Sequence, residues 1–179
     1  MVGDGGANYE EPFETCVDAL INYKKPLIAA VDGIAIGGGA TILLHFDAVF
    51  ISPNAKVKYP FSDLGLAPEV GSSLLLFQSL GYQKAAQLLF GAEWISGKEY
   101  FDFGMAKYLG EDYYDKAIDY AHQLNEQSLA SIIETKAILK SFNAHALSAA
   151  RDLETKAMKR LYGSEDNIKA IEKFFSRKG

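Results

Sequence analysis

The organisation of this chain is indicated by residues 25–39, which read KPLIAAVDGIAIGGG. Within this stretch, residues 27–31 form a short, continuous apolar run bounded by a proline and an Asp-Gly pair, which is typical of a strand buried on both faces. A glycine cluster at residues 37–39 follows, and helix-compatible residues then continue to His45. The stretch therefore predicts a buried strand, a glycine turn and a helix.

Strands and helices continue to alternate beyond this unit. Residues 48–51 have the pattern of a second buried strand, residues 56–59 that of an exposed strand and residues 105–109 that of a last one. Ser96 and Glu99 have the spacing of a capping box that opens a helix.

The second half of the chain changes character, since from residue 114 onward it holds helical patterns alone. We therefore predict an α/β fold in two parts: an α/β body, residues 1–110, and a helical C-terminal region, residues 111–179.

Composition excludes several classes of protein. With 18 basic and 23 acidic side chains the formal charge is -5, which argues against a nucleic-acid partner. The longest apolar stretch, residues 27–46, is interrupted by an aspartate and four glycines, so we expect no membrane span. A single cysteine, Cys16, and three scattered histidines predict neither a disulfide framework nor a metal site. A reducing, cytoplasmic setting is expected.

The glycine cluster at residues 37–39 is compatible with several functions. Glycines let a backbone approach a ligand closely, and a helix start offers unpaired N–H groups to negative charge. A dinucleotide-binding turn would have spaced glycines and an acidic residue about 20 positions further on, whereas these glycines are consecutive and Asp47 comes too early. An oxyanion hole and a simple packing turn both remain open.

Glu69 is a candidate general base. It lies just before an apolar helix predicted over residues 72–80, and apolar surroundings raise the pKa of a carboxyl group toward the useful range. The alternative is a solvated glutamate in the first turn of that helix, where the dipole favours it. The apolar neighbours in the sequence are Phe61, Leu64, Leu66, Val70 and Leu74.

Together, residues 25–39, Asp47 and residues 64–68 resemble the crotonase (enoyl-CoA hydratase/isomerase) superfamily, most strongly over residues 23–109. The resemblance implies a crotonase-like ββα spiral core and a C-terminal helical region that assembles a homotrimer or a dimer of trimers. It also implies an acyl-CoA thioester substrate. Family members carry further strands before the Lys-Pro motif, including a turn with a second oxyanion N–H, so the chain is expected to lack the N-terminal part of the domain.

The resemblance is narrower at the candidate base. Hydratases of the superfamily carry two catalytic glutamates, and the matching positions here hold Thr41 and Phe61. The peroxisomal-type delta3,delta2-enoyl-CoA isomerases instead place one base in a Pro-Glu-Gly-like turn followed by two small hydroxyl residues. Residues 68–73 read PEVGSS. The resemblance therefore implies an enoyl-CoA isomerase with Glu69 as its base.

The same resemblance assigns the remaining site residues. Gly38 would donate a backbone N–H to the oxyanion, and no metal or cofactor is implied beyond the coenzyme A that the substrate carries. The substrate-binding positions implied are Ile36, Gly37, Phe61, Leu64 and Leu66.

Two other classes of function stay open. One is a catalytically silent acyl-CoA-binding or assembly protein. The other is a different crotonase reaction, such as enoyl-CoA hydration or thioester hydrolysis, because the superfamily shares an oxyanion hole and varies the base.

Overall fold

The computed structural model describes residues 10–176, so residues 1–9 and 177–179 of the two predicted parts lie outside the described residues. Within residues 10–176, six short strands form two sheets. The first sheet has the order β1-β3-β6 and is parallel; in the second, of order β2-β4-β5, β2 and β4 are parallel and β5 is antiparallel. The strands are β1 (Ile28–Val31), β2 (Ile34–Ile36), β3 (Ala48–Ile51), β4 (Lys56–Lys58), β5 (Ile95–Ser96) and β6 (Tyr108–Leu109).

Helices pack on the sheets and make up the chain from Tyr113 to Ser176. The short helix that follows the glycines continues as a 3₁₀ turn, Ile42–His45, and another 3₁₀ turn spans Ser62–Leu64. The α-helices are α1 (Glu10–Ile21), α2 (Gly38–Thr41), α3 (Ser72–Leu80), α4 (Tyr82–Gly91), α5 (Gly97–Asp102), α6 (Tyr113–Asn125), α7 (Leu129–Ser141), α8 (Ala144–Leu161) and α9 (Glu165–Ser176). Among residues 10–176, none of the helices combines the length and apolar character that a membrane span requires.

The core forms where the strands present their apolar residues. All of β3 is buried, as expected of the middle strand of a covered sheet. In β4 the fully buried Val57 lies between an exposed and a half-buried lysine, so the predicted alternation of residues 56–59 is confirmed. Helix α6 packs on the first sheet by placing Ala117 against Phe50 and Ala48.

Some predicted elements differ in the structure. Residues 34–36, which the sequence assigned to the glycine turn, form strand β2, because their backbone pairs with β4 while two of the three side chains stay exposed. The last strand begins at Tyr108, not at residue 105. The capping box is confirmed: Ser96 Oγ accepts a hydrogen bond from the Glu99 N–H, and Glu99 Oε2 accepts one from the Ser96 N–H.

A buried lysine joins the helical region to the start of β1. Lys136 Nζ of α7 donates to Asp47 Oδ2 at 2.6 Å and to the Lys25 carbonyl oxygen at 2.8 Å. The same aspartate oxygen accepts the Leu27 N–H at 2.6 Å. These bonds fix the Lys-Pro motif, and with it the strand that leads to the glycine turn.

Candidate active site

Gly38 and Glu69 meet where α2 begins. A Cβ atom built on Gly38 would lie 3.5 Å from Glu69 Oε1 and 3.4 Å from two ring carbons of Phe13. Any side chain at position 38 would therefore enter the space between the carboxylate and the aromatic ring. The first N–H groups of a helix have no acceptor within it, so the Gly38 N–H can donate to a group outside α2.

The neighbouring glycine has a different part. The Gly37 N–H donates to the Lys58 carbonyl oxygen at 3.1 Å, and the Gly37 carbonyl accepts the N–H groups of Ala40 and Thr41 at 2.9 Å each. Gly37 therefore ties the start of α2 to strand β4, and its own N–H is already engaged. Thr41 is fully buried, and its hydroxyl donates to the Gly38 carbonyl.

Glu69 lies outside α3, which begins at Ser72 after Gly71, and its side chain is half-buried. The interpretation as a solvated first-turn glutamate therefore does not describe it. Burial raises the pKa of Glu69 above its ordinary value, and the negative charges of Glu14 and Glu154 raise it further. A carboxylate with a raised pKa is a stronger base, which is the property that general-base catalysis requires.

The backbone just after Glu69 is strained. Val70 has φ +62° and Gly71 has φ +75°, so two consecutive residues adopt the left-handed region. A β-branched residue rarely takes this conformation, at a cost of about 1–3 kcal/mol. A side chain on Gly71 would in addition overlap Leu147 of α8. The turn is therefore tight and needs support from its surroundings.

Two side chains from distant elements hold this turn. Burial lowers the pKa of His45 and so favours its neutral form, and His45 Nε2 lies 2.8 Å from the Val70 carbonyl oxygen, to which it donates. Glu154 of α8 accepts the Gly71 N–H at 2.7 Å and the Ser73 N–H at 2.9 Å, and it also accepts the Ser73 hydroxyl. Strained backbone of this kind persists only when such contacts over-determine it.

The other predicted binding positions lie along the segment that leads to Glu69 or beside the glycines. Phe61 is buried in the main core, Leu64 and Leu66 are half-buried, and Ile36 is exposed at the end of β2. The Leu66 N–H donates to the Phe61 carbonyl at 2.8 Å, which closes the segment into a loop. Asn167 of α9 holds this loop by donating from Nδ2 to the Leu64 carbonyl at 2.6 Å.

Sequence reasoning did not single out Phe13, Glu154 or Asn167 as site residues, and it gave His45 no role. Each contacts the site through a residue that is distant in the sequence. The separation ranges from 25 residues, between His45 and Val70, to 103 residues, between Asn167 and Leu64. A charged residue on the inner face of a predicted helix, as at Glu154, is the sort of signal that could have been noticed.

A large cavity lies elsewhere. It measures about 960 Å³ and opens between α1, the Ile42–His45 turn and helices α6–α8. His45, Leu147 and Arg151 contribute to its wall, whereas Glu69 and Gly38 do not. The cavity therefore backs onto the residues that support the turn and is separate from the point where Glu69 meets Gly38.

The fold agrees with comparisons to known proteins. The chain belongs to the enoyl-CoA hydratase/isomerase family, whose family model matches residues 4–179. A solved enoyl-CoA hydratase/isomerase from Pseudoalteromonas atlantica T6c superposes with a TM-score of 0.86 at 27% sequence identity, covering 90% of this chain and 66% of that one. The predicted crotonase-like α/β fold with a helical C-terminal region is thereby confirmed.

Two sequence relatives show the range of names in the family. The Bacillus subtilis protein YhaR is 31% identical over 163 residues, covering 89% of this chain. Enoyl-CoA delta isomerase 2 of Rattus norvegicus is 30% identical over 168 residues, covering 90% of this chain. The chain spans 63% of the length of YhaR and 42% of the rat protein.

The strain at Val70 predicts that glycine is more stable than alanine at this position, which is the reverse of the usual order in a strand. Val70→Gly and Val70→Ala both lose the buried side chain, but glycine adopts positive φ freely. We expect Val70→Gly to be the more stable of the two by about 1 kcal/mol in urea unfolding. At Val57, which is equally buried in ordinary strand backbone, alanine should be the more stable. The same order at both positions would contradict strain at Val70.

The raised pKa of Glu69 predicts a pH-dependent cost in stability. The protonated carboxyl supports the folded state at low pH, and this contribution is lost as the pH rises from the ordinary value of 4.5 through the raised folded value. Glu69→Gln should therefore unfold at higher urea than wild type at pH 7, with the difference vanishing at pH 4. The exposed Glu134→Gln should change stability by less than about 0.5 kcal/mol at pH 7. A less stable Glu69→Gln protein at pH 7 would refute the raised pKa.

Proposed function

We propose that this chain is an enoyl-CoA isomerase that shifts the double bond of a 3-enoyl-CoA to give the 2-enoyl-CoA, with Glu69 as its single base. The observation that carries this proposal is the half-buried Glu69 carboxylate beside Gly38, the first residue of α2. The reaction needs a base of raised pKa and a donor for a thioester oxyanion, and these two residues supply one of each.

The first step is removal of a proton from C2 of the substrate. The Glu69 carboxylate forms a bond to that proton, and the electrons of the broken C–H bond delocalise through C1 onto the thioester oxygen. The Gly38 N–H donates to this developing oxyanion. Removing one such donor typically costs about 2.7–4 kcal/mol of transition-state stabilisation.

The second step returns the same proton. Protonated Glu69 delivers it to C4, the electrons of the C3–C4 double bond form the new C4–H bond, and the enolate electrons form the C2–C3 double bond. One base serves both steps, so this scheme uses neither a metal nor a redox cofactor.

Two substitutions support isomerisation over hydration. The hydratase glutamate positions, matched by resemblance, hold Thr41 and Phe61. Both side chains are buried, and the Thr41 hydroxyl is already bonded to the Gly38 carbonyl. Neither can act as a carboxylate that activates water. The name of the rat relative, an enoyl-CoA delta isomerase, agrees with this choice.

A direct test is conversion of 3-hexenoyl-CoA by wild type and by Glu69→Gln, followed by NMR in D₂O. We expect wild type to form the 2-enoyl thioester and Glu69→Gln to lose about 10²–10⁴-fold in rate, because proton transfer by a positioned base contributes that much. Glu134→Gln, which alters an exposed glutamate on α7, is the matched control and should retain the wild-type rate.

Other products would identify other reactions. Free coenzyme A would indicate thioester hydrolysis, a 3-hydroxyacyl-CoA would indicate hydration, and binding without turnover would indicate a silent protein. Each of these, like full activity of Glu69→Gln, would contradict the proposal.

We also propose that the chain self-associates, as a homotrimer or a dimer of trimers, through its helical region. Large apolar side chains stay exposed there: Leu139 at 65%, Phe142 at 82%, Leu153 at 67% and Tyr162 at 75%. Apolar surface of this kind is typical of an interface. Sedimentation equilibrium should give three or six times the chain mass, and Phe142→Glu should lower it; a monomer at micromolar concentration would contradict this.

A further inference from the structure

Glu154 is a buried carboxylate whose partners are N–H and O–H groups. It is 6% exposed and belongs to α8, where it contacts the start of α3. Its two oxygens accept the Gly71 and Ser73 N–H groups at 2.7 and 2.9 Å, together with the Ser73 hydroxyl. A buried charge is costly unless such bonds satisfy it, so this placement needs an explanation.

Its position in the sequence gives no local reason for the contact. Glu154 reaches across 83 residues to Gly71, which lies two residues beyond Glu69 in the chain. Val70 lies between Glu69 and Gly71, and its left-handed backbone is strained. Glu154 is therefore bonded to Gly71, which is joined to the candidate base Glu69 through the strained residue Val70.

We propose that Glu154 is a positioning residue for Glu69: it holds the strained turn behind the base, and it sets a second negative charge close to it. This inference rests on the proposed function, in which Glu69 is the base. Glu154 itself is bonded to the turn and acts through Glu69.

The holding role follows from the bonds that would be lost. Without the Glu154 carboxylate, the buried Gly71 N–H and the half-buried Ser73 N–H lose their acceptor, at a cost for each unsatisfied group. Val70 can then relax out of its left-handed conformation, although the bond from His45 to its carbonyl oxygen remains. The Glu69 carboxylate would shift relative to Gly38, and a displacement of 1 Å can cost a rate on the order of 10²-fold.

The electrostatic role follows from the charges around Glu69. Two carboxylates raise its pKa in addition to burial: Glu14 of α1 and Glu154 of α8. Arg151, one turn before Glu154, is bonded to Glu14 at 2.6 Å and to Asp18 at 2.7 Å, so its positive charge is directed to α1. Burial favours neutral His45. Glu154 is thus the negative charge near Glu69 that is bonded to neutral groups.

The decisive variant is Glu154→Gln, which keeps the shape of the side chain and removes its charge. Titration of the Glu69 carboxyl carbon by ¹³C NMR, assigned with Glu69→Gln, should give a lower pKa in Glu154→Gln than in wild type. With 3-hexenoyl-CoA, kcat should fall about tenfold or more while KM changes little, because Glu154 does not touch the substrate. The acid limb of the kcat profile should move to lower pH.

Asn167→Ala supplies the matched control. It removes a bond to the loop that precedes Glu69, at the Leu64 carbonyl, without changing the charge. It should lower stability and leave the Glu69 titration at its wild-type position. If Glu154→Gln fails to fold, Ser73→Ala removes one of the three bonds and keeps the charge; kcat should then fall severalfold with an unchanged Glu69 titration.

The titration needs no substrate, so it separates this inference from the proposed function. The pKa of Glu69 could be lower in Glu154→Gln while the wild-type chain does not isomerise 3-hexenoyl-CoA. This result would contradict the proposed isomerase and support the positioning of Glu69 by Glu154. An unchanged Glu69 titration in folded Glu154→Gln, or an unchanged kcat in Ser73→Ala, would overturn the inference.

Discussion

The left-handed backbone at Val70 and Gly71 is the constraint on which the candidate site depends. It turns the chain sharply between Glu69 and the start of α3, so that the carboxylate lies beside Gly38 instead of continuing along the helix. The conformation is unfavourable for valine and is kept by bonds from His45 and Glu154, which belong to different parts of the fold. Both the α/β body and the helical region must therefore be in place before the base is placed.

The same arrangement lowers the stability of the folded protein. A half-buried carboxylate with two other carboxylates nearby is destabilised in its charged form, and this is also what strengthens it as a base. Elsewhere the fold uses charge more conventionally: Lys136 pairs with Asp47, and Arg151 with Glu14 and Asp18, to bind helices to the body.

Much of this could be predicted from the sequence where the signal is local. The apolar run at residues 27–31 predicted strand β1, and the Ser96–Glu99 spacing predicted a capping box, because both depend on near neighbours. The expected burial of β1 on both faces was wrong, since Ala30 is exposed. Strand β2 was not predicted, because three residues are too few to show a period-2 pattern. Glu69 was a candidate base from its apolar neighbours, and the resemblance to a family gave it and Gly38 their roles. The partners of Glu154 lie more than 80 residues away and depend on how α8 packs against α3, so the sequence could mark it only as a charged residue on the inner face of a helix.

The most direct test of this account is a crystal structure of the chain with an unreactive 3-thia acyl-CoA analogue. We expect the thioester oxygen to accept a hydrogen bond from the Gly38 N–H and C2 to face the Glu69 carboxylate. We also expect Val70 to keep its positive φ. A thioester bound in the cavity between α1 and helices α6–α8, away from Gly38 and Glu69, would contradict this account.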